Sequence, residues 1–593
     1  MKLFSRTLLA LLASLYGHAS FAVDESQKLL SEPGITGTLI LSALVIAVFI
    51  VVAVVKLSAY INRLNHPSKK IDPAELEALI SRLESQEPEA KETASLADTV
   101  ATSDKRGLIS HLQNEVHHSP MVVKKKQAIK SMNIDPALSK LVLAFIACSA
   151  AWLIFGTLIG QYLGMKFVWP ELDQVAWLSF GRLRPVHTNA VFWGWASLAM
   201  LGLGHFVVSR TCNTNLHSIK AGWVALGLIN AAVIIGSLCL MNGVNNGGGE
   251  YREYIWPVMA LFAAGLVICL WNFCQTIARR KNREIYVSNW YILGACTWTL
   301  ILTVIAYLPY YQNGLGETII QGYYMHQGVG MWFMTFTLGL VYYFLPQELN
   351  KPIYSYSLGV LAFWTQMLFY TLIGTHHFVF SPIPWSLQTV AIVFSAGMLI
   401  PVIAGTTNFI LTFRGSWRKL KDSYVVPFLL VGIVFYFVGS GQGTMQAFRF
   451  TNVIWHFTDF NVAHSHMTMY GIISFFMWGG IYYLLPKITG RAPKELMVGA
   501  HFWMAFIGLM IYMFSLMIGG TLKGMAWLEE VPFVETLSLM APYWLWRAIG
   551  GTMMFVSHLI FGLNIYQMAR KISARERLSN LLQRQPSVEL SKA

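Results

Sequence analysis

Apolar residues run through this chain in blocks of about 20, long enough to cross a hydrocarbon core as helices, with short polar breaks between them. Twelve such blocks lie at about 139–163, 186–209, 221–242, 255–277, 289–310, 325–347, 356–379, 385–411, 425–443, 461–485, 498–521 and 545–567. They predict an all-α membrane protein whose body, residues 136–570, is a bundle of twelve spans. A polar side chain inside such a block costs free energy unless it has partners, so each one is a candidate for function.

The pattern changes before residue 136. Lys2 and Arg6, the apolar stretch from Thr7 to Tyr16 and the small residues Ala19-Ser20-Phe21-Ala22 have the order of a secretory signal peptide, with cleavage expected after Ala22. Residues 23–65 hold one further apolar segment, Ile35 to Val55, followed by Lys56 and Arg63, which predicts an extra N-terminal transmembrane helix. Residues 66–135 are mixed in charge, poor in aromatics and carry Lys124-Lys125-Lys126, the composition of a cytoplasmic linker. No motif in it marks a docking segment. Residues 571–593 read as a cytoplasmic tail.

Composition agrees with the membrane reading. The chain is 55% hydrophobic, 14% aromatic and only 12% charged, with a mean hydropathy of +0.51, outside the range of a soluble domain. The formal charge of +14 would suit a nucleic-acid binder if it were clustered on one face. Instead the cations sit in alternate loops: Arg279-Arg280-Lys281, Arg414 to Lys421, Lys487 to Lys494 and the tail from Arg570. By the positive-inside rule those loops face the cytoplasm, and the partner of the charge is a lipid membrane.

With that orientation, six histidines fall at one depth. His187, His326 and the pair His464 and His466 lie at the outer starts of the second, sixth and tenth spans, and His376-His377 at the outer end of the seventh. Convergence of six imidazoles points to haem and metal held in lipid, and so to electron transfer. His205, His501 and His558 lie on spans without partners at the same level and read as structural. On a helix, residues two apart point about 200° from each other, so His464 and His466 serve two different groups. His376 and His377, about 100° apart, can reach one ion if the last turn loosens. With His326 they make a three-imidazole site suited to copper, iron or zinc. His187 is left to pair across a haem with one of the alternating histidines.

Four stretches, FGRLRPVHTNA at 180–190, GEYREYIWP at 249–257, YSYSLGVLAFWTQMLFYTLIGTHHF at 354–378 and HFTDFNVAHSHMTMYG at 456–471, resemble the catalytic subunit of cbb3-type cytochrome c oxidases, the C family of haem-copper oxidases. The resemblance covers about residues 139 to 570. It implies a twelve-helix oxidase bundle that reduces O2 to water with electrons from a cytochrome c partner, set in a bacterial inner membrane with its haem side toward the periplasm. His187 and His466 are then the axial ligands of a low-spin haem b, His464 the proximal ligand of a high-spin haem b, and His326, His376 and His377 the ligands of copper (CuB). Arg182, Arg184 and Arg449 are expected at haem propionates, and Glu250 and Glu253 beside a calcium ion near them.

A redox-active tyrosine separates the possible chemistries. In the A and B families it follows the first copper histidine by four residues, where this chain has Gly330. In the C family it precedes the histidine pair by six, where this chain has Tyr370. Related nitric oxide reductases place a glutamate where Gly330 stands. The family's proton path begins at a tyrosine matched by Tyr342, but its next serine and histidine are replaced by Gly359 and Ala362, so the resemblance does not carry proton pumping over to this chain. Ser357, Thr365, Gln366 or water are the candidates to bridge the gap. Gln442 stands where the family usually has a glutamate, and Gln327 where it has an asparagine.

The six cysteines form no Cys-x-x-Cys-His motif for covalent haem. A membrane subunit carrying haem c is therefore the expected partner. Two other readings compete with the oxidase: a nitric oxide reductase-like member of the same superfamily, and a non-catalytic membrane haem b protein. Tyr370 without a nearby glutamate disfavours the first, and the complete histidine set the second.

Overall fold

The computed structural model describes residues 134–309 and 313–570. The expected signal peptide, the extra N-terminal span, all but the end of the linker and the tail lie outside the described residues. Twelve helices follow in chain order: α1 Pro136–Lys166, α2 Phe180–Thr211, α3 Ile219–Met241, α4 Trp256–Ala278, α5 Val287–Tyr307, α6 Gly314–Leu349, α7 Tyr356–Tyr370, α8 Trp385–Thr412, α9 Val426–Ala447, α10 Asp459–Thr489, α11 Glu495–Leu528 and α12 Phe533–Ala569. There is no strand among the described residues.

The starts and stops have local causes. Asp135 accepts a hydrogen bond from the Ala137 N–H at 2.8 Å and Pro136 opens α1; Ser218 and Ser355 cap α3 and α7 in the same way, each at 3.2 Å. Asn350 and Gly490, at φ 53° and 70°, end α6 and α10 in the left-handed conformation.

Eleven of the helices are long and apolar enough to cross a membrane. The seventh expected span, 356–379, is not one helix. Its α7 stops at Tyr370 after 15 residues, about 22 Å at 1.5 Å per residue and short of a bilayer core of about 30 Å. The chain then makes a 3₁₀ turn, Gly374–Phe378. Gln327 explains the break: its amide nitrogen donates to the carbonyls of Tyr370 and Thr371, at 3.3 and 3.2 Å, which a continuing helix would have used itself.

Three helices form the centre. The most apolar stretches of α2, α6 and α10 are 94%, 94% and 89% buried, against 39–44% for the other long helices, whose outward faces carry residues such as Val304, Phe437 and Val393. These three carry His187, His326, and His464 with His466. Each widens by one π-helical stretch just after its histidine: Ala190–Ala196, Gly328–Met334 and Met467–Ser474. At each a hydroxyl donates to the carbonyl five residues back: Ser197 to Phe192, Thr335 to Gly330 and Ser474 to Met469, at 3.0, 2.9 and 3.3 Å. Widened turns of this kind concentrate at functional sites because they re-aim the side chains next to them.

Where α10 begins, Asp459 is tied to α11 and α12. Its carboxylate oxygens accept from Lys523 Nζ at 3.3 Å and Trp544 Nε1 at 3.1 Å, and both members of the ion pair are buried. Removing one partner strands the other charge. Lys523→Met is expected to cost about 3–5 kcal/mol of stability, and Lys523→Met with Asp459→Asn to recover most of it, as read by thermal unfolding of the detergent-purified protein.

Candidate haem and metal centre

His326 closes the α-helical part of α6, and His376 and His377 sit in the 3₁₀ turn that Gln327 helps to create. Gly322 and Gly374 let these two backbones meet, because a side chain at either position would overlap the opposite main chain. The ligand nitrogens of the three histidines all lie within 4.8 Å of one another. Ring centroids are 4.4 Å apart for His326 and His376, 4.9 Å for His326 and His377, and 4.5 Å for His376 and His377.

Hydrogen bonding fixes which nitrogens are free. The Ser395 hydroxyl donates to the Ala391 carbonyl at 2.7 Å, so it accepts from His376 Nδ1–H at 2.6 Å and leaves His376 Nε2 as a lone pair. His326 Nδ1 is buried and has no hydrogen-bond partner. An unpaired nitrogen in such a place is what a metal ligand looks like without its ion. The donor set fits a copper, zinc or iron ion with an open position.

Tyr370 joins this cluster. Its ring packs edge-on against His326, 5.5 Å between centroids, and occupies the space that any side chain at position 330 would need. Gly330 is thus the gap that admits Tyr370.

His187 and His466 line one cavity, together with Arg184, Glu250, Asp459 and Arg547. His187 Nδ1–H donates to the Gly156 carbonyl at 2.6 Å and His466 Nδ1–H to the Val462 carbonyl at 2.8 Å. Each imidazole therefore keeps its Nε2 lone pair for a ligand, and the pair fits a haem held from both faces. The ring of Tyr512 lies 4.3 Å from that of His466. On the same helix, His464 Nδ1 bonds Gln442 Oε1 at 2.8 Å, and His464 is within electrostatic reach of His326, His376 and His377. The alternating histidines are divided between two places, as the helical geometry requires.

The arginines separate. Arg184 lines the cavity and pairs with Glu250 at 2.6 Å. Arg182 donates to the Met241 carbonyl at 3.2 Å, and Arg449 lies over the Trp385 ring, 3.6 Å from its centroid, with a bond to Thr389. Glu253 is buried in the loop after α3, where Asn189 Nδ2 donates to it at 3.0 Å. Burial pushes its carboxyl up to about 7, against the Asn189 bond; a cation at the loop would pull it back. Tyr342 is buried on α6, its ring 4.8 Å from Phe409 and 5.3 Å from Tyr291.

Two residues were missed in the sequence. Arg547, on α12, lines the His187–His466 cavity with a buried, unpartnered Nε, which suits an anionic group such as a propionate. His456, just before α10, stacks on Phe457 and lies beside His377; burial pushes its imidazole below the usual range. Arg547 sits inside an apolar span, which by itself was a signal. Of the other histidines on spans, His205 bonds Leu201 O, His501 bonds Tyr482 OH, and His558 bonds Thr157 and Tyr470.

A membrane bundle with two imidazoles lining one cavity, a third within electrostatic reach of a three-histidine cluster, and a tyrosine packed on that cluster has the donor groups that haem and a metal ion would need. The chain belongs to the cytochrome c and quinol oxidase polypeptide I family, whose model matches residues 140–553. It is 30% identical over 458 residues to the cbb3-type cytochrome c oxidase subunit CcoN1 of Stutzerimonas stutzeri, covering 74% of this chain and 96% of that one. It is 29% identical over 440 residues to a cytochrome c oxidase subunit 1 homolog of Agrobacterium tumefaciens, covering 71% and 81%. A heme-copper terminal oxidase dimer solved by cryo-EM superposes with a TM-score of 0.62 over 74% of this chain and 86% of that one; at 15% identity this likeness concerns the fold alone.

Gly160 on α1 lies against the His187 ring so closely that a larger residue must displace it. Gly160→Val is expected to leave roughly half of the wild-type haem content, since overpacking at this contact turns His187 out of its cavity. Pyridine haemochrome analysis of the purified protein checks this.

Proposed function

We propose that this chain is the catalytic subunit of a terminal respiratory oxidase that reduces O2 to water with electrons from a cytochrome c partner. The observation that carries the reading is Tyr370 against His326, in the space that Gly330 leaves open. The cbb3-type relatives support the choice of family branch.

In this reading His187 and His466 hold a low-spin haem b, His464 a high-spin haem b, and His326, His376 and His377 copper. When bound, these groups supply one-electron redox chemistry and the place where O2 is reduced. The protein orients the imidazoles through Gly156, Val462, Gln442 and Ser395, and places Arg184 and Arg547 opposite haem propionates. Glu250 and Glu253 serve a calcium ion near those propionates. Tyr370 would give up its hydroxyl proton and one electron to O2, the oxidant of the reaction, and would regain an electron from the cytochrome c partner and a proton from the opposite end of the bundle between turnovers. Electrons come from a haem c-carrying membrane subunit at the histidine end, which faces the periplasm in a bacterial inner membrane; the cationic loops at the other end support this orientation.

Protons for Tyr370 rise from the opposite end past Tyr342. Gly359 lies against the Tyr342 ring, so position 359 adds no polar group to the path. One turn before Tyr370, Gln366 donates to Thr335 at 2.7 Å, both residues buried. That pair provides polar groups between Tyr342 and Tyr370 where Ala362 has none.

Metal and haem analysis with O2 and NO turnover tests the assignment: about two haems and about one copper per chain with rapid O2 uptake support it, whereas extra iron with NO consumption overturns it. Tyr370→Phe is expected to lower O2 consumption at least ~100-fold with metal and haem retained. Tyr342→Phe is expected to slow it roughly tenfold or more at unchanged haem content; wild-type turnover in that variant rules out this proton route.

A further inference from the structure

The His464 imidazole is held from behind by a neutral group. Its Nδ1 lies 2.8 Å from Gln442 Oε1. If the amide were turned, its nitrogen would donate to Nδ1 and the ring proton would sit on Nε2, closing the only nitrogen left for iron. The arrangement compatible with a ligand is therefore Nδ1–H donating to the amide oxygen, with Nε2 free. The other end of the side chain agrees: Gln442 Nε2 meets the Met517 sulfur at 3.5 Å, a weak acceptor that carries no charge. The next residue, Gly443, leaves room for the ring, with the His464 Cε1 at 3.3 Å from where a Cβ would stand.

An amide oxygen and a carboxylate accept this bond with different consequences. A carboxylate makes a charge-assisted bond about twice as strong as a neutral one and draws the Nδ1 proton toward itself, giving the imidazole imidazolate character and more electron donation to a metal. An amide is a very weak base and cannot take the proton. A carboxylate next to Met517 would also be an anion beside an apolar thioether, whereas the amide brings no charge into the site.

We propose that Gln442 is a positioning residue that keeps the proximal ligand His464 a neutral imidazole, and so holds the high-spin iron at a higher reduction potential than an acidic partner would. This rests on the reading of His464 as the iron ligand. A higher potential favours transfer of electrons from the low-spin haem to the site where O2 is reduced.

The test uses the assembled, purified complex with its haems. In the reduced, ligand-free state, resonance Raman spectroscopy reads the iron–histidine stretch, and a potentiometric titration reads the high-spin haem. Gln442→Glu is expected to raise the stretching frequency and shift the potential downward; Gln442→Met, which offers no oxygen acceptor, is expected to lower the frequency and shift the potential upward. If both variants keep wild-type haem content, frequency and potential, the proposal is overturned, and Gln442→Met alone decides it if the acidic variant fails to assemble. A CO-binding haem that survives unaltered in His464→Ala overturns instead the ligand assignment beneath it, so the two failures are told apart.

Discussion

The structure depends on one repeated constraint. Each of the three central helices must carry a histidine at one level of the bundle and still bury nearly its whole surface below that level. A regular α-helix fixes both faces at once; one wider turn uncouples them. The widened turns of α2, α6 and α10 follow their histidines directly, and side chains tie them to each other. Trp332 Nε1 on α6 donates to the Ser197 hydroxyl on α2 at 2.9 Å, and Trp195 Nε1 on α2 donates to the Ser474 hydroxyl on α10 at 3.0 Å. The hydroxyls that accept are the ones that close the widened turns. Thr335, the third, accepts from Gln366 on α7. In a hydrocarbon setting an unpaired indole or hydroxyl costs several kcal/mol, so these bonds set the rotation of each helix against its neighbour, and the depth at which the histidines meet.

The twelve apolar blocks were legible because a membrane span is a long-range compositional signal, insensitive to neighbours. The histidines were legible because imidazoles are rare in such blocks, and the two-residue spacing of His464 and His466 has only one geometric reading. The break in the seventh span was not legible. It comes from Gln327, 43 positions upstream of Tyr370, taking carbonyls that the local sequence assigns to a helix. Nor does a single-sequence reading announce π-helical turns, since one inserted residue leaves the apolar pattern intact. The arginines show the same limit: Arg182 and Arg184 share a level in the sequence, but only Arg184 lines the cavity, while Arg182 turns to a carbonyl. Arg547 does line it, brought by a helix more than 300 residues away.

Gly330 and Tyr370 show how a site is moved without being lost. Position 330 lies one turn after His326, the natural place on α6 for a side chain aimed at the same cluster. Any side chain there would overlap the Tyr370 ring, so the two solutions exclude each other sterically. Choosing the tyrosine on α7 has a structural cost, because the chain must leave its helix at once to bring His376 and His377 back to His326. Gln327 and the Gly322–Gly374 contact meet that demand. The departure from helix at Tyr370, the glycine at 330 and the amide at 327 are therefore one device, not three.

Apart from Gln327, which stands for another amide, the departures from the family pattern fall on one kind of residue. The six histidines and Tyr370 match the family pattern in sequence, while Gly359, Ala362 and Gln442 stand where it has proton-carrying or acidic groups. Physical chemistry accounts for the difference in tolerance. A metal ligand must present a particular lone pair within a few tenths of an ångström, so the imidazoles, their Nδ1 partners and the glycines beside them are constrained together. A proton relay needs only polar groups or water spaced closely enough to exchange hydrogen bonds, and many side chains meet that condition. Thr335 serves both demands. Its hydroxyl closes the widened turn of α6 at Gly330, under the Tyr370 ring, and receives the Gln366 amide from α7. Because the same hydroxyl sets the helix geometry beside the three-histidine cluster and ends the polar step below the tyrosine, this part of the proposed relay follows from the architecture around that cluster even though its residues are not those of the family.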